Sequence, residues 1–313
     1  VIQLIIKRLL ATIPVLFVVA IVIFVVLRLT PGDPAALVAG DAATAEQLEE
    51  IRRSMGLDQP VLVQFSQWLG NMLVGDFGNS LISSRPVGEL IAARLGPSMS
   101  LTLMTLIYTL MVSLPLGVIS AWHRGRAIDR AVMAGSVAGF SIPVFIVAYL
   151  MIFLFSMKLG WLPVQGYQPL SAGFWEHVRH LILPAVSLGT VYIALITRIV
   201  RTSIIDTLNE DYIRTARAKG LPEWRVLLNH ALSNAAVPIL TIIGISITML
   251  IGGVVVTESV FNIPGLGRLV LDAVLSRDFT VIQSLIVLFS FVYILINLLI
   301  DISYLLVDPR IER

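Results

Sequence analysis

Apolar residues in this chain gather into six stretches that hold no Asp, Glu, Lys or Arg: Leu9–Leu27, Ser98–Trp122, Ala131–Met157, Leu181–Thr197, Ala231–Thr257 and Phe279–Ile300. Crossing a bilayer takes about 20 apolar residues, at about 1.5 Å each over roughly 30 Å of hydrocarbon. Each stretch therefore predicts a transmembrane helix, and the fourth, the shortest, is expected to run a few residues further. Pro14, Pro115, Pro143, Pro184 and Pro238 lie inside the stretches. They would break soluble helices, but neighbours in a membrane bundle satisfy the freed carbonyls. The pattern predicts an all-α polytopic membrane protein of six transmembrane helices.

The polar segments between these stretches carry patterns of their own. The segment from Thr30 to Pro97 is long enough to hold structure. Thr44 and Gln47 form a capping box, Leu48, Ile51 and Met55 follow at helical spacing, and Gly56 supplies a stop. A second amphipathic helix is expected from Pro60 to about Val74, with Val61, Phe65, Trp68, Leu69 and Met72 on one face. The Gly75–Gly78 loop ends it, and a third short helix near Val87–Leu95 leads into the second span. Such an insert is either a lid on the bundle or a docking platform for an extracytoplasmic partner, and the two are compatible. The organisation expected is a signal-anchor span over residues 1–29, an extracytoplasmic helical insert over 30–97, and a five-span core over 98–313. Lys7 and Arg8 precede the first span, but its apolar run is too long for a cleaved signal and no small-x-small site follows.

Charge placement sets the direction. With the N-terminus inside, the cytoplasmic segments hold Lys7, Arg8, Arg124, Arg126, Arg130, Arg198, Arg201, Arg214, Arg217, Lys219, Arg225, Arg310 and Arg313. The insert has four arginines against eight acids, so it translocates easily. Both termini are expected in the cytoplasm.

Composition agrees and removes several kinds of chemistry. Of 313 residues, 57% are hydrophobic and 13% charged, against roughly 25% charged in soluble domains. Mean hydropathy is +0.90. There is no cysteine, which excludes disulfides and thiolate sites. His177 and His180 have helical spacing beside Glu176 and are read as part of an interfacial helix, with no metal site expected. No glycine-rich phosphate loop, HExxH or GxSxG sequence occurs, so no catalytic residue is assigned and ATP is not used by the P-loop route. Acids in spans mark ion-coupled transport. Here only Glu258 and Asp301 qualify, both near span ends, and Asp301 sits four residues after Asn297 as a helix-face pair. No inverted repeat is evident. Nothing points to nucleic acid.

The segment Arg198–His230 then stands out, with six basic residues against four acids between two apolar stretches. It reads as two helices broken at Gly220-Leu221-Pro222, with Gly220 as a C-cap and Pro222 in the next first turn. Ile213, Ala216 and Gly220 share a helical spacing, while Arg214, Arg217 and Lys219 project around the rest. A basic helix lying on the membrane surface would fit this pattern, as would a docking element for another protein.

The residues themselves narrow the choice. DYIRTARAKG (Asp211–Gly220), followed by VLLNHALSNAAVPIL, resembles the cytoplasmic loop of binding-protein-dependent ABC importer permeases. That family's signature is Glu-Ala-Ala, three residues, then Gly. Ala216 and Gly220 keep the spacing, while Arg214 and Thr215 take the Glu and first Ala positions, a departure common in the dipeptide/oligopeptide/nickel branch. LTPGDP (Leu29–Pro34), LDQPVLVQFSQWL (Leu57–Leu69) with GDFGNS, LGWLPVQG (Leu159–Gly166), ESVFNIPGLGRLV (Glu258–Val270) and the terminal DPRI resemble the same branch. The likeness spans nearly the whole chain.

The resemblance implies a division of labour in a bacterial inner membrane. This chain and a second, homologous permease subunit form the pathway through the lipid bilayer. Two cytoplasmic ATPase subunits bind ATP and Mg, and an extracytoplasmic binding protein delivers substrate; this chain itself holds no cofactor. Asp211–Leu221 would be the coupling helix between spans four and five, with Arg214, Arg217 and Lys219 on the ATPase, Ala216 permitting close approach and Gly220 setting the end. The pathway is expected along the fifth span, at Ser246, Met249, Gly252 and Gly253 with Gly244 and Thr248 nearby, and at Glu258 near the outer mouth. Transport would proceed by alternating access. The cargo expected is di- or oligopeptides, with glutathione, a nickel chelate or an oligosaccharide as alternatives. An ion-coupled secondary transporter and a non-transporting scaffold remain the competing classes.

Overall fold

A computed structural model describes residues 2–29, 33–39 and 43–307. Thr30–Gly32 of the LTPGDP segment and the terminal DPRI with Arg310 and Arg313 lie outside the described residues, as do the side chains of Lys7 and Arg8. In order the helices are α1 (Ile2–Leu29), α2 (Pro34–Ala39), α3 (Ala45–Ser54), α4 (Val61–Leu73), α5 (Val87–Trp122), α6 (Ala127–Ser141), α7 (Val144–Met151), α8 (Phe174–Leu208), α9 (Asp211–Ala218), α10 (Glu223–Arg225), α11 (Ala236–Val260), α12 (Leu266–Ser276) and α13 (Phe279–Val307). Among the described residues the sole β pairing is a single bridge between Asn79 and Pro86.

By length and composition α5, α8, α11 and α13 can each cross a membrane, and α1 contributes the shorter apolar run Leu10–Val26. The third apolar stretch differs from the single span expected over Ala131–Met157. It forms α6 and α7, bent by 102°. Pro143 has no N–H to continue the ladder and holds Ile142 extended, at φ −87° and ψ 123°. After α7 the chain continues as a π-helix, Ile152–Lys158. A separate helix near Val87–Leu95 does not form either. Those residues are the first turns of α5, which carries Pro97 and Pro115 inside it. The fourth apolar stretch does extend, as α8 from Phe174 to Leu208.

The chain divides into two compact units. The first is Pro97–Gly267 with the chain from Ile296, and α8 is its pillar. Of the apolar window of α8, 61% is buried, against 22% in α5, 33% in α11 and 6% in α13. Leu181, Leu183, Leu188 and Tyr192 pack with Leu101, Ala148, Leu250 and Val254. Further along, Ile196, Val200 and Ile204 pack with Ala121, Leu227, Ala231 and Ile239. Lipid tails are as apolar as leucine, so membrane helices associate by close backbone approach at small residues. A Cβ on Gly117 would stand 2.6 Å from the Val200 side chain, and one on Gly189 3.0 Å from Thr109 Oγ1.

The second unit is Ile2–Gly96 with Arg268–Leu295. The capping box forms as expected: Gln47 N–H donates to Thr44 Oγ1 at 3.3 Å and Thr44 N–H to Gln47 Oε1 at 2.9 Å. The half-buried face of α4 lies on α1, with Phe65 and Trp68 at 5.1 and 5.7 Å from the Phe24 ring. Asp278 caps the start of α13 and also anchors the GDFGNS loop. Its carboxylate accepts from Ser80 Oγ at 2.5 Å and from the N–H groups of Leu81 and Val281 at 3.2 and 3.3 Å.

Candidate functional site

The polar segment after α8 folds as a small layer packed against the end of that helix. Asp211 opens α9 in the first turn, where a negative charge suits the helix dipole. Ile213 and Ala216 are buried against Val226, with Leu208 and Leu221 alongside. The helix stops by a double backbone closure. Gly220, at φ +78°, donates its N–H to Arg217 O at 2.9 Å, and Leu221 N–H reaches Ala216 O at 3.4 Å. These are the two bonds of a Schellman turn, and the contact of Leu221 with the buried cluster completes it. Only a residue at ease with positive φ fits at Gly220. Pro222 stands at the N-cap of α10, and a π-helix, Val226–Leu232, then leads towards α11.

The other face of α9 carries charge. Arg214 is 78% exposed and lies 3.4 Å from the nearly fully exposed Asp211. Lys219 and Thr215 are exposed too. Arg217 is different, because it grips Glu223 across the turn with Nε and Nη2 at 2.8 and 3.2 Å. Partial burial and then the charge of Glu210 push the Tyr212 phenol above its ordinary value. Thus Arg214 and Lys219 are exposed, Gly220 sets the end of the helix, and Leu221 staples it. Ala216 faces inward, so its small side chain serves packing within the loop. Sequence reasoning missed the Arg217–Glu223 pair; opposite charges flanking a Gly-Leu-Pro turn are the signal for it.

A second feature missed from sequence lies beside this layer. Asp129, 3% exposed, receives Arg201 Nε and Nη2 at 2.5 and 2.7 Å, Ser120 Oγ at 2.6 Å and Gly125 N–H at 2.8 Å. One carboxylate thereby joins the end of α5, the first turn of α6 and α8 two turns before its end. Both oxygens are bonded, which is the condition for an ion pair to survive burial. A lone acid among Arg124, Arg126 and Arg130 was the available sign.

The residues expected along the pathway separate. Met249, 57% exposed, and Gly252, with open space beyond it, share a face of α11 with Thr241, Ile245 and Val256. Ser246 is buried and donates back to Ile242 O at 2.7 Å. Gly253 packs on α8, where a Cβ would meet Tyr192 Oη at 2.9 Å. Glu258 is fully buried at the end of α11 and accepts from Ser98 Oγ, which itself accepts from Leu266 N–H at 2.7 Å. A Cβ at Gly265 would overlap its carboxylate, and one at Gly267 would stand 3.0 Å from Oε2. Small side chains were the sequence criterion, and smallness alone does not tell a face turned outward from a close helix contact. Near the start of α8, His177 and His180 each use Nδ1 on a backbone carbonyl, Gln168 O and Glu176 O, at 2.7 Å.

Residues 113–313 match the family described as binding-protein-dependent transport system inner membrane component, and residues 1–116 match the N-terminal part of such membrane components. The chain is 49% identical over 308 residues to a probable peptide ABC transporter permease protein, y4tP, of Sinorhizobium fredii, covering 98% of each. It is 44% identical, with the same coverage, to the glutathione transport system permease protein GsiC of Escherichia coli K12. Among solved structures it is similar to an inward-facing conformation of the MetNI methionine ABC transporter. The TM-score there is 0.58 at 20% identity, over 70% of this chain and 96% of that one, a likeness of fold alone.

Proposed function

The chain belongs to the family of binding-protein-dependent transport system inner membrane components, and from that membership we propose that it is one of two permease subunits of an ATP-driven importer of short peptides. It is a multi-pass inner-membrane protein and a permease of an ABC importer, a class that works with ATPase and substrate-binding partners. In the finer reading both termini are cytoplasmic, six spans cross the bilayer with α6 and α7 as one bent crossing, and residues 30–97 lie outside. Substrate passes by alternating access, and ATP and Mg are held by the two ATPases.

One observation carries this reading. The α9 layer has a packed inner face, a rigid double-bonded end and an outward face of Arg214 and Lys219 beside Asp211. Transmission requires such an element, because only a part that moves as a body can carry differential contacts from one site to another. The face made by Met249 and Gly252 on α11 supports a pathway or partner-permease surface. Peptide cargo rests on the likeness to y4tP, and glutathione, itself a tripeptide, on the likeness to GsiC.

The test is uptake into proteoliposomes holding this chain, its partner permease, both ATPases and the binding protein. Dipeptide or glutathione accumulation should require ATP inside the catalytic compartment and the binding protein opposite. Uptake driven by an imposed proton gradient without ATP would overturn the reading in favour of an ion-coupled carrier.

A further inference from the structure

The unit formed by Ile2–Gly96 and Arg268–Leu295 contains a cavity of about 780 Å³ between the end of α1, α3, α4 and the start of α13. That is within the range of roughly 300–1,000 Å³ of small-molecule sites. Five side-chain amides face the cavity, those of Gln59, Gln64, Gln67, Asn71 and Gln283. Two guanidiniums and one carboxylate accompany them. Arg52 and Asp33 are already paired, and that pairing raises the Arg52 pKa through the hydrogen bond and the charge of Asp33. Arg28 is the surplus cation. It lies 4.0 Å above the Phe24 ring and donates to Gln64 Oε1, and among the described residues it pairs with no carboxylate. Gln64 is fixed in turn by donating to Gln59 O at 2.6 Å, and Gln67 by donating to Gln59 Oε1 at 3.3 Å.

We propose that this cavity binds a short peptide by its C-terminal carboxylate, with Arg28 as the anion-binding residue and the amide-lined wall as the reader of the peptide backbone. A net single positive charge calls for an anionic group, and a guanidinium meets a carboxylate in a fork of two bonds. The amides decide which anion. Each carboxamide offers both donor and acceptor, which matches a ligand that alternates N–H and C=O. A phosphodiester headgroup could meet Arg28 in the same way but has no alternating N–H and C=O groups to engage the amide-lined wall, so a phospholipid fits less well. Asn71 and Gln283 supply amides that bond no other described side chain, while Trp68 and Phe279 give apolar contact for side chains of the ligand. The role of the site as a waiting station for cargo rests on the importer reading; peptide binding to it does not.

Equilibrium binding of radiolabelled trialanine to the full chain in phosphatidylcholine nanodiscs, with neither ATPases nor binding protein, tests this. Saturable binding of one peptide per chain is expected. Arg28→Gln should weaken it about tenfold or more, the loss of one charge-assisted contact. C-terminally amidated trialanine should bind the unaltered chain just as weakly and should suffer no further loss in Arg28→Gln. Gln283→Ala should weaken binding a few-fold, with thermal unfolding of both variants unchanged. Absence of saturable binding, equal binding of the amidated peptide, or displacement by dioctanoyl phosphatidylglycerol in preference to peptide would overturn the proposal. Because no transport is measured, such a failure leaves the importer reading standing on its own assay.

Discussion

Both ends of the α8 unit bury a carboxylate, and they hold it by different means. Beside the α9 layer, Asp129 meets the Arg201 guanidinium head-on and gains two further donors. At the far end of α5, some twenty residues and about 30 Å away along the helix, Glu258 lies in a pocket shaped by Gly265 and Gly267 and closed by Ser98. The first is a charge clamp joining three helices. In the second, two glycines bring the backbone close against the carboxylate. The clamp ties α8 to α5 and α6, and the glycine-lined site closes the end of α11. A clamp of opposed charges resists being pulled apart, and its failure leaves a buried charge alone. A glycine cradle is sensitive to added volume instead.

Removing one partner of the clamp should therefore have the largest effect. Asp129→Ala strands Arg201 and should cost about 3–5 kcal/mol, read as a lower unfolding temperature in detergent. Asp129→Asn keeps the shape and should fall between. An unfolding temperature unchanged by Asp129→Ala would erase the distinction between the two ends. Next, Gly265→Ala should cost about 1–3 kcal/mol by overpacking. The cost should vanish in a Glu258→Ala background, since the added methyl then has room. A full cost persisting there would show that the backbone, and not the carboxylate, needs the glycine. Smaller still, Gly220→Ala places a Cβ in a left-handed position and should cost about 1 kcal/mol. Faster amide exchange at Leu221 would report it. Smallest for stability, Arg214→Ala breaks an exposed pair and should change folding by less than about 0.5 kcal/mol. Uptake should nonetheless fall several-fold, and a stability loss as large as the transport loss would make Arg214 merely structural.

Much of this was legible in the chain. Apolar length announced α5, α8, α11 and α13, and the Thr44–Gln47 spacing announced the start of α3, because span length and cap chemistry are local rules. The Gly220 stop was legible for the same reason. Pro143 was visible too, but whether a proline bends a membrane helix or is absorbed by neighbours depends on packing. Pro115 and Pro184 are absorbed inside α5 and α8, whereas Pro143 divides α6 from α7. Pairings across long separations stayed hidden. Asp129 and Arg201 stand 72 residues apart, and Ser98 and Glu258 160. No local pattern links them, and the amide-lined cavity draws on equally distant segments. The inward turn of Ala216 was hidden because a helix of eight residues does not reveal which face its own loop will cover.

The α9 layer carries the central claim, and the lack of any native cysteine makes it directly testable. Single cysteines at Arg214 and Lys219 on the outer face, and at Ile213 on the inner face, can be joined by a short bifunctional reagent to the assembled complex. The account predicts cross-links from positions 214 and 219 to an ATPase subunit, with yields that change when ATP is added, and none from position 213. Cross-linking that is equal from the inner and outer faces, or no ATPase adduct from positions 214 and 219 in a complex that still imports substrate, would contradict it.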